Sequence, residues 1–157
     1  LLGAQDALIA GGAKSIVSMQ SLRVIAPLLS TGLIDVTSMQ KRNDDELFGP
    51  ILQLIRVRDF DAAIEEASRT RYGLAAGLLS DDRSLYETFF RRVKAGVINF
   101  NRPLTGASSA LAFGGLKDSG NHRPGAFFAA DYASDPVASM ETDRLVMPAT
   151  FPIGSAP

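Results

Sequence analysis

The fold is decided by residues 51–100, which read ILQLIRVRDFDAAIEEASRTRYGLAAGLLSDDRSLYETFFRRVKAGVINF. Residues 51–57 are mostly apolar and rich in β-branched side chains, which is typical of a buried strand. Residues 74–79 and 96–100 are two further apolar runs of strand length. Apolar runs without polar alternation indicate strands that are buried on both faces of a sheet.

Two helices are predicted between these strands. Asp59 is expected to cap the first, in which apolar residues recur at helical spacing from Phe60 to Ala67. The run Ser80-Asp81-Asp82 is expected to cap the second, which has an apolar face from Leu85 to Val93. Strands and helices that alternate with short connections form βαβ units. The sequence therefore predicts an α/β fold in which a parallel sheet is covered by helices in three layers.

The segments on either side of this stretch are less regular. Two shorter strands are predicted before it, over residues 14–19 and 33–36. Residues 101–125 follow it and contain five glycines and two prolines, and a loop this long in a compact domain is usually functional. Residues 126–133 are expected to form a short aromatic-rich helix, and residues 137–146 an extended stretch.

Composition excludes several classes of function. The 157 residues are 46% hydrophobic and 21% charged, which is ordinary for a folded domain. A net charge of -1 without a run of like charge makes nucleic acid and membrane surfaces unexpected partners. With no signal peptide and no run of 18 apolar residues, a cytoplasmic location is the default expectation. No cysteine and one histidine exclude disulfides, thiolate metal sites, a cysteine nucleophile and a His-rich metal cluster within these residues.

Three short motifs occur in order along the chain. Residues 46–50 read ELFGP, residues 72–78 read YGLAAGL and residues 113–120 read FGGLKDSG. In order and setting they resemble the E-x-F-G-P, Y-G-L-x-x-G and F-G-G-x-K-x-S-G motifs of the aldehyde dehydrogenase family. Each motif alone is modest evidence, and the three together in order are strong evidence for this resemblance.

Further segments extend the resemblance over nearly the whole chain. Residues 101–109 read NRPLTGASS and residues 119–124 read SGNHRP, which is similar to members of the family that act on an acidic semialdehyde. N-succinylglutamate 5-semialdehyde, an intermediate of arginine breakdown, is the substrate that this similarity implies. Ala112 and Thr31 stand where the family commonly has proline, and neither change removes a reacting group.

The resemblance implies a carboxy-terminal portion of an NAD(P)-dependent enzyme. Residues 1–136 would be part of its catalytic domain, and residues 137–157 an oligomerisation strand and tail that join a homo-oligomer. NAD is the expected cofactor. NADP is the alternative, because in the family the contacts to the adenosine ribose that distinguish the two cofactors lie upstream of this segment. The family's catalytic cysteine and its water-activating glutamate also lie upstream. The chain alone is therefore expected to contain no catalytic residue and to be inactive.

Two residues carry over as cofactor contacts. Glu46 is expected to accept hydrogen bonds from the vicinal hydroxyls of the nicotinamide-side ribose, because a carboxylate offers two acceptor oxygens. Phe48 is expected to pack beside that ribose or the nicotinamide. The alternative for Glu46 is a charged residue in a turn before a strand.

Substrate contacts are expected from the glycine-rich loop. Thr105-Gly106-Ala107-Ser108-Ser109 would anchor a carboxylate through exposed backbone N–H groups and hydroxyls. Phe113 would form an apolar wall beside the carbon chain of the aldehyde. Arg102 and His122 are candidates for binding further carboxylates of the substrate. The alternative for the loop is a flexible Gly/Ser surface segment, and the alternative for Phe113 is simple packing in the core. The alternative for Arg102 and His122 is that they are solvated charges on a loop.

Two other classes of function compete with the dehydrogenase. Ser108, Asp118 and His122 follow the Ser, Asp, His order of α/β-hydrolases. A nucleophile elbow needs a strand immediately before the serine and a helix immediately after it, whereas this serine lies in a predicted loop. The second alternative is a non-catalytic fold or assembly module, in which the alternating stretch 137–148 pairs with a partner subunit.

Overall fold

The computed structural model describes residues 1–22, 28–106, 108–121, 124–147 and 150. The helices and strands of these residues, in chain order, are α1 Leu2–Ala10, β1 Lys14–Val17, β2 Gly32–Asp35, β3 Ile51–Leu54, α2 Phe60–Ser68, β4 Ala75–Leu78, α3 Arg83–Arg92, β5 Val97–Phe100, β6 Ala112–Phe113, β7 Gly125–Ala126 and α4 Ala129–Tyr132. A single 3-10 turn, Lys117–Ser119, lies between β6 and β7. Within the described ranges, no helix is long and apolar enough to cross a membrane.

The described strands form three small sheets rather than one. In the first, β1 runs antiparallel to β2, and β2 runs parallel to β3. The second is the parallel pair β4 and β5, and the third is the antiparallel pair β6 and β7. Parallel pairing is therefore confirmed for two strand pairs, with α3 as the crossover between β4 and β5.

The prediction of one continuous three-layer sheet is not confirmed in this chain. Strands β3 and β4 are connected by α2, yet they belong to different sheets. A cavity of about 410 Å³ is lined by residues of both strands, among them Gln53 and Ala75. Alternation of strands and helices predicts crossovers, but it does not determine which strands become neighbours.

The predicted caps begin both central helices. Asp59 Oδ1 accepts a hydrogen bond from the Ala62 backbone N–H at 2.8 Å, and Asp82 Oδ1 accepts one from the Ser84 backbone N–H at 2.8 Å. Each bond satisfies one of the free N–H groups in a first helical turn. The two helices pack against β4 and β5 around a buried core of Ile64, Phe89 and Val93.

Helix α1 has no counterpart among the predicted elements. Its apolar residues are not confined to one face, and Leu1 at its N-cap makes no capping side-chain hydrogen bond. Its position is fixed by Gln5, whose amide group is buried. Gln5 Nε2 donates to the Met19 carbonyl at 3.1 Å, and the Met19 N–H donates to Gln5 Oε1 at 2.7 Å. A tertiary contact of this kind leaves no local pattern in the sequence.

The carboxy-terminal predictions have a mixed outcome. The short helix is found as α4, although it is shorter than the predicted 126–133. The oligomerisation strand predicted within residues 137–157 is not confirmed, because residues 137–147 form neither strand nor helix in this chain. A strand needs backbone partners, and no described strand pairs with this segment. Its side chains are exposed, and those of Met140 and Leu145 are completely so.

Candidate functional site

The loop that carries Glu46 is anchored to a turn at residues 70–73, between α2 and β4. Asp44, two residues before Glu46, accepts hydrogen bonds from the Thr70 hydroxyl at 2.6 Å and from the Arg71 backbone N–H at 2.5 Å. The Arg71 N–H and then the Thr70 hydroxyl lower the pKa of the Asp44 carboxyl. The loop is therefore held through a carboxylate that is ionised at neutral pH.

The F-G-G-x-K-x-S-G loop reaches the same turn from the carboxy-terminal side. The Gly73 N–H donates to Ser119 Oγ at 3.1 Å, and the Gly73 carbonyl accepts from the Leu116 N–H at 2.9 Å. A Cβ at Gly73 would lie 2.8 Å from the Lys94 carbonyl oxygen, so only glycine allows this approach. The motifs at residues 72–78 and 113–120 therefore meet at this turn, and Asp44 attaches to it the loop that leads into the third motif, residues 46–50.

Lys117 closes the end of α2. Its Nζ donates to the carbonyls of Ser68 and Thr70, at 2.7 Å each. The Ser68 carbonyl is one of those that the end of the helix leaves without an intrahelical partner, and Thr70 lies two residues beyond the helix. A cation at a helix C-terminus is also favoured by the helix dipole. Lys117 has a φ of 53°, a left-handed conformation that costs a non-glycine residue about 1–2 kcal/mol. The two charged hydrogen bonds offset that cost.

The carboxylate of Glu46 and the ring of Phe48 are accessible to a ligand. Glu46 is exposed and makes no hydrogen bond or ion pair with another residue in the described part of the chain. It lines the 410 Å³ cavity together with Asp44 and Asp45. The Phe48 side chain is 80% exposed. Three adjacent carboxylates disfavour an anionic ligand group here and suit hydroxyl donors.

The proposed carboxylate-anchoring loop is much less constrained. Thr105, Gly106, Ser108 and Ser109 are exposed, and Ala107 lies outside the described residues. Gly106 has a φ of 99°, which only glycine adopts readily. Ser108 forms one local turn, in which its Oγ accepts from the Ala110 N–H at 3.2 Å. The hydroxyls of this loop are accessible to a ligand, and its role stays a prediction.

The remaining predicted substrate residues are dispersed. Phe113 lies in β6, belongs to neither buried core cluster and lines a cavity of about 570 Å³ with Leu74 and Pro124. Thr105, Gly106, Ser108 and Ser109, the described residues of the anchoring loop, are not among those lining that cavity. Arg102 is exposed without a hydrogen bond or ion pair to any described residue. His122 lies outside the residues that the structure describes.

The hydrolase alternative finds no support in the backbone around Ser108. Strand β5 ends at Phe100, and the next strand begins at Ala112, so no strand immediately precedes the serine. The described residues after it lead into strand β6 rather than a helix. The strained strand-to-helix turn of a nucleophile elbow is not formed here.

Sequence reasoning does not find the residues that anchor the site, Asp44, Thr70 and Lys117. Lys117 has one available signal, its fixed place in the F-G-G-x-K-x-S-G motif. Asp44 and Thr70 are 26 positions apart in the chain, and neither belongs to a motif. Their pairing is visible only once α2 has brought the two loops together.

Comparisons with known proteins identify the family of this chain. The family model described as the aldehyde dehydrogenase family matches residues 4–134. The chain belongs to the aldehyde dehydrogenase family. A curated relative from Hahella chejuensis, N-succinylglutamate 5-semialdehyde dehydrogenase, is 53% identical over 154 residues, which cover 98% of this chain and 31% of the relative. The chain therefore spans about a third of the length of this relative.

Solved structures of aldehyde dehydrogenases are similar in fold. Aldehyde dehydrogenase 21 from Physcomitrella patens, in complex with the reaction product succinate, aligns with a TM-score of 0.71 and 26% identity. The alignment covers 83% of this chain and 27% of that one. An indole-3-acetaldehyde dehydrogenase from P. syringae, in complex with NAD+ and IAA, has a TM-score of 0.71 and 27% identity, with the same two coverages. The predicted α/β class is thus confirmed.

Proposed function

We propose that this chain is the carboxy-terminal portion of an NAD-dependent aldehyde dehydrogenase. The full-length enzyme would oxidise N-succinylglutamate 5-semialdehyde to N-succinylglutamate in arginine breakdown. The observation that carries this proposal is the 53% identity, over 98% of the chain, to the Hahella relative of that name. NAD is proposed as the cofactor because a similar solved enzyme is a complex with NAD+. NADP remains the alternative, since no described residue is proposed to contact the adenosine ribose.

Glu46 would orient the cofactor. When bound, the nicotinamide supplies the acceptor for the hydride that leaves the substrate. The Glu46 carboxylate would accept hydrogen bonds from two neighbouring ribose hydroxyls, and Phe48 would pack beside them. Support comes from the exposure of both side chains and from the lack of a partner for Glu46 in the described ranges. A positioned ribose places the ring at the distance and angle that hydride transfer requires.

The loop at residues 105–109 would bind the end of the substrate remote from the aldehyde. Its hydroxyls and backbone N–H groups are donors suited to a carboxylate. Arg102 and His122 would bind further carboxylates of the succinylated substrate, since arginine can hold one with two parallel hydrogen bonds. Phe113 would cover the apolar carbons between the two ends, and its cavity-lining position supports this role.

Chemistry would require the longer protein. The chain contains no cysteine, so the nucleophile that attacks the aldehyde must come from another segment. We further propose that residues 1–136 are part of the catalytic domain, whereas residues 137–157 form an arm that pairs with a partner subunit of a homo-oligomer. The exposed apolar side chains of Val137, Met140, Leu145 and Val146 favour this assembly role.

The proposed substrate can be tested with the full-length enzyme and two aldehydes. NADH formation would be followed with N-succinylglutamate 5-semialdehyde and with an uncharged aldehyde of similar length. The proposal expects kcat/KM to favour the acidic semialdehyde by at least about tenfold, because each hydrogen bond to a charged group contributes roughly 1.5–3 kcal/mol. Equal kcat/KM values would contradict the acidic substrate and leave a general aldehyde dehydrogenase.

A further inference from the structure

We infer that Asp44 is the positioning residue for Glu46, and that it fixes the cofactor-binding loop by clamping the turn at residues 70–73. The functional half of this inference rests on the proposed binding of the cofactor ribose by Glu46. The structural half, that Asp44 anchors the loop, is independent of that proposal and has its own test.

The clamp uses both oxygens of the Asp44 carboxylate. Oδ1 accepts from the Thr70 hydroxyl, and Oδ2 accepts from the Arg71 backbone N–H. Thr70 Oγ1 also accepts from the Tyr72 N–H at 3.1 Å, so its own hydrogen is directed towards Asp44. Two charge-assisted bonds from different groups fix the carboxylate in position and in orientation.

The turn that Asp44 grips is itself held from the other side. Lys117 Nζ binds the Thr70 carbonyl, and the Asp118 N–H donates to the Arg71 carbonyl at 3.1 Å. The positive charge of Lys117 also contributes to lowering the pKa of Asp44. The clamp therefore attaches the Glu46 loop to a turn that is itself held in place by the hydrogen bonds from Lys117 and Asp118.

The three consecutive carboxylates differ in what they bind. Asp44 is fully engaged in the clamp, whereas the Asp45 side chain is 71% exposed and lies 3.8 Å from Arg71 Nη2. Glu46 has no partner within the described ranges. Asp44 holds the loop while Glu46, two residues on, stays free to accept hydrogen bonds from a ligand. An acidic residue nearby that lacks the clamp, Asp45, provides a matched control.

Hydrogen exchange of this chain tests the anchor directly. Asp44→Asn keeps the size of the side chain but removes its charge and places an NH2 donor against existing donors. We expect exchange of the Arg71 amide and of residues 45–49 to accelerate by about tenfold or more, as for the loss of one charged hydrogen bond. Asp45→Asn should leave both unchanged. Equal acceleration of exchange in the two variants, or no acceleration in Asp44→Asn, would show that Asp44 does not anchor the loop.

Kinetics of the full-length enzyme test whether the clamp acts through Glu46. In the otherwise wild-type enzyme, Asp44→Asn should lower kcat/KM for NAD about tenfold. In the Glu46→Gln enzyme the same substitution should lower it by less than about twofold, because the residue through which Asp44 acts is already altered. Thr70→Val should reproduce the loss, and Thr70→Ser, which keeps the hydroxyl, should restore normal kinetics.

The outcomes separate this inference from the proposed function. If Glu46→Gln impairs the enzyme and Asp44→Asn does not, the positioning role is wrong and the cofactor role stands. If the two losses are independent and multiply, Asp44 is only structural and the inference is overturned. If Glu46→Gln has no effect, the proposed cofactor role fails, and the exchange measurement alone then decides whether Asp44 anchors the loop.

Discussion

The loop around Glu46 and the loop at residues 105–109 contribute to the proposed site in different ways. The first is fixed by two bonds from Asp44 to a turn that Lys117 also holds. In the second, the hydrogen bonds of Ser108 are confined to one local turn. The proposed cofactor-binding loop is thus preorganised within this chain, whereas the proposed substrate loop would gain its order from whatever contacts it.

The largest expected effect concerns both loops together, because neither contains the cysteine that the proposed reaction requires. The isolated chain should form no NADH from N-succinylglutamate 5-semialdehyde above the rate without protein, since it contains no cysteine. The full-length enzyme is the positive control in the same assay. Steady turnover by the pure 157-residue chain would show that the chemistry has been assigned to the wrong segment.

The second prediction addresses the less constrained loop. Replacing Ser108 and Ser109 by alanine removes two hydroxyl donors and leaves the backbone donors in place. In the full-length enzyme KM for the acidic semialdehyde should rise about tenfold or more, because bonds to a charged group contribute roughly 1.5–3 kcal/mol each. A neutral aldehyde of similar length serves as control and should be barely affected. Similar losses with both aldehydes would indicate a purely structural loop.

The third prediction addresses the anchored side and concerns stability. Lys117→Met removes both Nζ bonds and leaves the carbonyls of Ser68 and Thr70 without this partner, which should cost about 1–3 kcal/mol of unfolding free energy. Lys117→Gly loses the same bonds but relieves the left-handed backbone at this position, and should cost about 1 kcal/mol less. Urea denaturation of the isolated chain measures both. Equal stabilities of Lys117→Met and the parent chain would show that the turn is not held in this way.

The smallest effect is expected from pH. The pKa of Asp44 is lowered in the folded chain by the Arg71 N–H and the Thr70 hydroxyl. A lowered folded pKa means that the stabilisation is present above the ordinary value of 3.8 and is lost as pH falls through the lowered value. The Tm difference between the parent chain and Asp44→Asn should therefore be constant near neutral pH and disappear in acid. A difference that instead appears only below pH 3.8 would contradict the ionised clamp.

The sequence predicts local features of this fold well and spatial neighbours poorly. Asp59 and Asp82 are expected as caps and act as caps, because a capping bond joins residues three or fewer positions apart. The division into separate sheets is not predictable in this way, since strand neighbours depend on long-range packing. Helix α1 escapes prediction for the same reason, as Gln5 is fixed by a contact 14 positions away.

In the candidate site, too, the sequence predicts local features well and spatial neighbours poorly. Its three motifs are recognisable as local strings, and these strings by themselves lead to Glu46 and to the F-G-G-x-K-x-S-G loop. That both of these loops are attached to the turn at residues 70–73 is not predictable from the strings, because Asp44 lies outside the motifs and because Asp44 and Lys117 reach this turn from opposite directions along the chain. The proposed arm at residues 137–157 would need a partner subunit to form its strand, and a single chain does not supply one.

The most direct test of the proposed cofactor-binding loop is single-turnover hydride transfer in full-length Glu46→Gln. The variant keeps the size and one carbonyl acceptor of the side chain but loses its charge. We expect the transfer rate to fall about 10- to 150-fold, the loss expected for one charge-assisted hydrogen bond, with Tm unchanged. Unchanged NAD affinity together with an unchanged transfer rate would contradict the account and make Glu46 a turn residue.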